Sequence, residues 1–422
     1  MKVLHSRVQH PVGHGFFHSS TIEFDGSRFN YVYDCGGARV RERVHEYLTV
    51  SVDKRIDALF VSHLHHDHVG GLDYLLPDVE LGSVFLPYLT DDELILLAIE
   101  AVESGEADSV YLSLLRDPVA WFRDRGAKRV IEIRGGESER PVELPTPNPG
   151  DLDQDNEAVP DRLDIFPYRP DGSAWDVGEK PRWGRTHDRV LVDDVPFCLT
   201  RWQLPVWWLV PYVQKAPENR LNGFVRDVRN ILGEDNFRAM LRKDKRQFFW
   251  RFCLADRDFR RSLRNAYRRS FRSINTTSLC LYSGASVNRE PTVFWPRQKS
   301  TGTRAPLGGG FCSPDGRHAW LGTGDAVLGD GHAVDQMRLH LETLLGNVLT
   351  MSIPHHGSRD NAGPELLDAV GPIMGVVTCR AGDPLHPHPS LVNEIDGSGC
   401  DLVVVNVDGR SHYEELVAVG LR

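Results

Sequence analysis

Apolar and polar positions alternate in short runs at both ends of the chain. In the first third, VLHSRV (3–8), STIEF (20–24) and FNYVYD (29–34) have the β-rich composition and alternation of half-buried strands, and Gly36-Gly37 stops the third. Residues 38–49 suit a short helix. RIDALFVSH (55–63) reads as a buried strand ending in polar residues, and GGLDYLL (70–76) opens another helix. In the last third, LCLYS (279–283), AWLGTG (319–324), NVLTMSI (347–353), IMGVVT (373–378) and LVVVNV (402–407) read as strands, with helices between them at 333–345, 363–370 and 389–396. Such alternation predicts an α/β layered domain.

The middle of the chain departs from this pattern. Helical periodicity at 91–104 and 109–125 gives way, from about 135 to 189, to a stretch rich in Pro, Gly, Asp and Asn. Within it PTPNPGDLDQDNEAVPD (145–161) has little to bury and reads as a flexible acidic loop. After LTRWQLPVWWLVPYV (199–213), helical patterns return from about 222 to 272. The expected organisation is a catalytic domain of residues 1–90 and 274–422, interrupted by a large, mainly helical insertion at 91–273.

Composition narrows the picture. With 422 residues, 41% of them hydrophobic, the chain can bury a large core. A net charge of −10 argues against a bulk polyanion binder, so any nucleic-acid surface must be a local patch. One segment offers it: between Arg238 and Arg272 there are 13 Lys or Arg against three Asp, with Phe248, Phe249, Trp250, Phe252 and Phe259 among them. Arginine pairs with phosphate bidentately and aromatic rings stack on bases, which makes Arg242, Lys243, Lys245, Arg246, Arg260, Arg261, Arg264, Arg268 and Arg269 candidate nucleic-acid contacts. The competing readings are an amphipathic helix pair with Arg outside and Phe inside, and a docking surface for an acidic protein partner.

Seven cysteines are scattered without a CxxC pair, as expected of reduced thiols. The N-terminus lacks an apolar signal core, and LPVWWLVPYV (204–213) is too short to span a bilayer. The expectation is a cytoplasmic protein without membrane attachment.

The candidate chemistry is concentrated in SHLHHDHVGG (62–71), which packs four histidines and an aspartate into positions 63–68. A strand end followed by a tight loop can aim His63 and His65 to one side and Asp67 and His68 at a second point nearby. Imidazole with carboxylate suits zinc, and also manganese or iron. A histidine-rich surface loop is the alternative, but it would need neither the apolar strand before the cluster nor the Gly-Gly and helix after it.

HxHxDH after a strand, followed by GG, resembles the metallo-β-lactamase superfamily. NTTSLCLY (275–282), WLGTGDA (320–326), SIPHHGSRDNAGPELLDAVGP (352–372) and HPHPSLVNEI (386–395) resemble, in order, the metallo-β-lactamase domain of the ComEC DNA-uptake family. The resemblance spans about residues 1–90 and 274–422. It implies an αββα sandwich holding two divalent ions, zinc or alternatively manganese. It places His63 and His65 on one ion, Asp67 and His68 on the other, Asp325 between them, and His355 as the remaining ligand, with His356 beside it as a further metal or supporting residue. Asp34 would orient the metal loop without ligating, and His386 would be a ligand or contact the scissile phosphate or leaving group. His10, His14, His18, His187, His318, His332 and His412 read as surface or packing residues, His187 doubling as a weak candidate for an extra ligand. GHGFFHSS (13–20) departs from the family, with Phe16 where an aspartate is common, and Asp325 follows His68 by 257 positions.

Two close cations supply a nucleophile from water and offset charge at the attacked centre, so no covalent enzyme intermediate is needed. Fold alone does not choose among phosphodiesters, thioesters, lactones and lactams. The resemblance and the basic segment favour a nuclease or phosphodiesterase acting on DNA or RNA, with Asp67 and His386 as catalytic residues. The alternatives are a small-molecule or lipid-headgroup hydrolase of the phosphocholine-esterase kind, with Trp207 and Trp208 lining a pocket under a lid, and a partner-regulated subunit of a multi-component, phage-defence-like system.

Overall fold

A computed structural model describes residues 2–135, 141–142, 144, 165–167, 189–193, 195–201, 204–214, 218–234, 256–270, 277–286, 292–298, 310–313 and 315–421. The chain opens with three antiparallel strands, β1 (Lys2–Gln9), β2 (Phe17–Phe24) and β3 (Ser27–Cys35), then α1 (Val40–Val50) and β4 (Arg55–Phe60). Two single turns, α2 (His66–Val69) and α3 (Leu72–Leu75), lead to β5 (Glu80–Pro87). The first helix after Asp67 was expected at 70–76; instead the turn already begins at His66, which puts Asp67 and His68 on helical backbone.

The middle of the chain supplies both helices and strands. α4 (Asp91–Ser104), α5 (Ser109–Arg116) and α6 (Pro118–Asp124) precede β6 (Arg129–Arg134). They are followed by β7 (Ile165–Pro167), β8 (Arg189–Asp193), β9 (Phe197–Arg201) and β10 (Leu204–Val213). Then come the helices α7 (Glu218–Leu232) and α8 (Arg257–Ser270). Thr90 caps α4 reciprocally with Glu93, which fixes where the helix starts.

The last third contains β11 (Leu279–Ala285), β12 (Thr292–Gln298), β13 (Phe311–Ser313), β14 (Ala319–Gly322), α9 (Gly331–Leu345) and β15 (Val348–Ser352). It closes with α10 (Pro364–Val370), β16 (Met374–Thr378), α11 (Pro389–Ser398), β17 (Asp401–Val405) and β18 (Tyr413–Gly420).

These strands form two sheets. The first runs β13-β12-β18-β1-β2-β3-β4-β5-β6-β8, and the second β17-β16-β15-β14-β11-β10-β9-β7. In the first sheet β3 through β8 pair in parallel; in the second, β14 through β17 do. The period of two along a strand sends neighbours to opposite faces and creates three apolar layers. Tyr31 and Tyr33 of β3 point between the sheets with Phe60, Phe85, Trp207, Leu281 and Trp320. Val32, between them in sequence, points outward with Leu59 and Val84 against Val44, Leu72, Leu97 and Leu114 of the helices. On the far side Trp208, Tyr282 and Leu321 meet Val334, Leu341, Leu366 and Ile395. The result is a helix–sheet–sheet–helix sandwich.

The two tryptophans considered for a substrate pocket are core residues. Trp207 lies between the sheets and Trp208 beneath the outer helices, both almost wholly inaccessible, because adjacent strand positions must face opposite layers. One buried ion pair crosses the first sheet: Arg7 of β1 sits opposite Glu415 of β18 and donates to it at 3.0 Å. Arg7 also donates to the His318 carbonyl, and Thr350 donates to Glu415 at 2.7 Å.

Candidate metal centre

The candidate ligands gather at the C-terminal ends of strands, where parallel sheets leave backbone ends and loop side chains free to converge. His63 and His65 follow β4, α2 carries Asp67 and His68, Asp325 follows β14, and His355 and His356 occupy a 3-10 turn, Pro354–Gly357, after β15. Glycine makes the close approach of these loops feasible. A Cβ on Gly15 would stand 2.5 Å from the Asp67 carbonyl oxygen, and one on Gly36 would collide with the same peptide. The Phe16 amide donates to that carbonyl at 3.2 Å.

Asp325 divides the cluster. Its Oδ2 faces His63 Nε2 at 3.5 Å and His355 Nε2 at 3.6 Å, while His68 Nε2 lies 3.3 Å from its Oδ1. His65 joins His63 and Asp325 in one group whose potential ligand atoms all lie within 4.8 Å. His68, Asp325 and His356 form another such group, and His356 Nε2 reaches Asp67 Oδ2 at 3.3 Å. His63 and His355 thus face one oxygen of Asp325 with His65 grouped beside them, and His68 faces the other with His356 and Asp67 nearby; His63 also falls in a group with Asp67 and His68. The adjacent residues His355 and His356 both adopt left-handed backbone (φ 46° and 56°), which lets neighbours in sequence serve opposite sides.

Supporting groups fix the ring orientations. His355 Nδ1 donates to Asn361 Oδ1 at 2.8 Å and His356 Nδ1 to the Thr378 carbonyl at 2.9 Å, so each presents Nε2 as a lone pair. Asp34, fully buried, accepts from the Ser62 amide at 2.7 Å, from Ser62 Oγ at 2.6 Å and from His68 Nδ1 at 2.8 Å. It touches the cluster only through His68 and Ser62, the arrangement of a ligand's supporting carboxylate.

The electrostatics follow from burial and crowding. Burial alone would raise Asp325, but His68, His63 and His355 outweigh it and hold its carboxyl well below the usual range. Asp67 is lowered in the same way, burial being overcome by His68 and His356. Burial and the neighbouring His68 lower His63, whereas the carboxylates of Asp325, Asp67 and Asp34 overcome burial and raise His68. His65 is raised against its burial by Glu100 of α4, whose Oε2 lies 3.3 Å from Nε2.

The residues fit divalent metal ions. The Nε2 atoms of His63, His65 and His68 are buried and face carboxylate oxygens at 3.3–3.5 Å without a well-formed hydrogen bond. The separations of 3.3–3.6 Å across Asp325 exceed the ~2.8 Å of charge-assisted hydrogen bonds and approach the roughly 3.4 Å between two ligands of a tetrahedral ion at ~2.1 Å. Imidazoles with two carboxylates form a donor set suited to zinc or manganese.

Three participants escaped the sequence reading. His14, read there as a surface or packing residue, packs its ring 3.9 Å from that of His356 and forms a potential ligand group with Asp67 and His356. Burial and His356 push it down to about 4. Its only sequence signal is its place between Gly13 and Gly15, both with positive φ. Glu100 carried no local signal, and neither did Asp383, which forms a potential ligand group with His14 and His386. His386 lies at the edge of the cluster, its ring 6.1 and 6.4 Å from those of His355 and His356. Phe16, at the position of the absent aspartate, is buried and lies parallel to the His68 ring at 6.3 Å.

His187, Arg242, Lys243, Lys245 and Arg246 lie outside the described residues. Of the other basic candidates, all on α8, Arg264 is engaged by Glu103 of α4 and Arg269 donates to Asp227 of α7 at 3.0 Å. Arg260 is half-buried, and Arg261 is exposed, 3.7 Å from Asp258; Arg268 belongs to the same helix.

Residues 14–80 match the family model of the metallo-beta-lactamase superfamily. The match covers the segment that carries His63, His65, Asp67 and His68, and the four-layer sandwich is the architecture expected of that fold. Among solved structures, the metallo-beta-lactamase fold protein YhfI from Bacillus subtilis aligns over 95% of this chain and 96% of its own, with 10% identity and a TM-score of 0.32. A diphosphatase from the PhnP family aligns over 25% of this chain and 48% of its own, with 16% identity and a TM-score of 0.17. Neither likeness bears on the substrate, and no curated protein matches the chain. Among the described residues no helix is long and apolar enough to cross a membrane.

Proposed function

We propose that this protein is a two-metal phosphodiesterase acting on nucleic acid. One observation carries the reading: Asp325 turns one oxygen to His63 and His355 and the other to His68, so one carboxylate could be shared between two neighbouring ions. Paired divalent ions supply a nucleophile from water and stabilise charge on the attacked and leaving oxygens of a phosphodiester. The chain's own residues prepare that chemistry. Asp34 and Ser62 hold His68 in one tautomer, Asn361 and the Thr378 carbonyl do so for His355 and His356, and burial of Asp325 and His68 keeps bulk water from competing for the ligands. His14 and His386 face the more accessible side, where an incoming phosphate would be met. A polymeric substrate is favoured because Trp207 and Trp208 are consumed by the core and because α8 presents Arg257 and Arg261 to solvent.

The test is incubation of purified protein with single- and double-stranded DNA and RNA in Zn²⁺ or Mn²⁺. Cleavage by the wild type, lost by more than about a thousandfold in Asp67→Ala/His68→Ala, is expected, because several ligand contacts disappear together. Cleavage of a chromogenic phosphodiester that polynucleotides do not inhibit would assign the site to a small molecule instead. No cleavage with any metal, or equal cleavage by the variant, would remove the reading.

A further inference from the structure

We propose that His14, Asp383 and His386 form a third divalent-cation site beside the pair, a proposal that rests on the metal reading of the main cluster. The three side chains each offer a ligand atom, and these atoms lie within 4.8 Å of one another. Two imidazoles and one carboxylate are a donor set for a zinc- or manganese-type ion that leaves coordination positions for water or substrate. His386 Nδ1 stands 3.6 Å from Asp383 Oδ2. That separation is too long for a strong hydrogen bond and close to the roughly 3.4 Å expected between two ligands of one ion, as in the main cluster.

The trio is held from two directions, each tied to the main cluster. Asp383 Oδ1 accepts from the Leu385 amide at 2.8 Å, a local turn that aims Oδ2 at His386. The His388 amide donates to the Gly357 carbonyl at 2.9 Å, fastening this segment to the turn that carries His355 and His356. On the other side, His14 is carried by the glycine-flanked loop whose Phe16 amide is bonded to the Asp67 carbonyl. The His14 ring is 5.5 Å from that of His386 and 3.9 Å from that of His356. His14 thus stands between the buried pair and the more accessible Asp383–His386 edge. A cation there occupies the approach to the site, where the charge of a substrate phosphate would need an additional counter-charge.

Equilibrium dialysis of the metal-stripped full chain against Mn²⁺, with metal per protein measured by elemental analysis, tests this directly. Three equivalents are expected for the wild type and two for Asp383→Asn/His386→Ala, with the melting temperature of the metal-free protein unchanged. Should that double variant melt early, Asp383→Asn alone provides the same comparison. Two equivalents in both proteins would overturn the third site and leave the paired site standing. No bound metal in the wild type would overturn both.

Discussion

Glu100 lies outside the cluster of ligands yet bears on its affinity. It comes from α4, in the middle of the chain, and its carboxylate stands 3.3 Å from Nε2 of His65, the nitrogen that would face an ion. A carboxylate beside a ligand nitrogen holds the ring in place and would offer an oxygen to the same ion, and removing a supporting group of a ligand typically costs 10–100-fold in metal affinity. Glu100→Gln is therefore expected to lose metal to a competing chelator about 10–100 times more readily than wild type, with little change in the melting temperature of the metal-free protein. Unchanged metal retention would make Glu100 a bystander. The contrast between residues is instructive. His63, His65, Asp67 and His68 were legible because six consecutive positions carry the pattern, and Asp325 and His355 because short motifs surround them. Glu100, His14 and Asp383 were not, because only tertiary contact gives them a role. The His355–His356 pair shows a further limit: the two share one motif, and only the left-handed turn shows that they face opposite sides of Asp325.

Helix α8 separates two kinds of arginine. Arg264 and Arg269 clasp α4 and α7 through Glu103 and Asp227, whereas Arg257 and Arg261 point to solvent. Truncating a clasping arginine removes a largely surface ion pair worth about 0–1 kcal/mol. Reversing the exposed pair, in Arg257→Glu/Arg261→Glu, should instead weaken polynucleotide binding and lower the salt-dependence slope by roughly 2, about one per lost phosphate contact, while leaving the melting temperature unchanged. Binding with unaltered affinity and slope would show that this face serves another partner. Among the elements, strands with clean apolar runs, such as β4, β15 and β16, were read from sequence close to their bounds. Others were overlooked: β5, β12 and β18 mix Glu, Ser, Pro, Arg and Gln into their runs. They are strands because their neighbours complete the ladder; β18 pairs on both sides, with β1 and β12. Likewise β10, despite two prolines, joins the second sheet because β9 and β11 flank it. Local propensity yields to such partners.

For the whole molecule, buried histidines set the acid limit. Burial, aided by nearby cationic groups, lowers His5 and His10 well below the usual value, His18 to about 3 and His318 to about 4. In the unfolded chain each titrates near 6.5. Below that pH the unfolded state takes up protons that the folded state refuses, so their contribution to stability is complete above pH 6.5 and is lost as the pH falls toward 4 and 3. Each such group costs about 1.4 kcal/mol per pH unit across that interval. The melting temperature should drop steeply from pH 6 to 4. His18 stacks on Trp320 at 4.2 Å, and among the described residues neither of its ring nitrogens is hydrogen-bonded. His18→Phe should make that drop measurably shallower; an identical slope would show that another group governs it.

The 257 positions from His68 to Asp325 also impose an order in time. During synthesis, at about 5–20 residues per second, His63 to His68 exist for some tens of seconds before Asp325 and the histidine turn emerge. Until then the nascent chain offers two halves of different ion positions, with no shared carboxylate to join them. Any ion captured early is held by a partial set of ligands and exchanges easily, and binding to incomplete chain subtracts from the stabilisation that the finished site can gain. On the two-metal reading, retention of metal would thus be a property of the completed sandwich and not of the nascent chain.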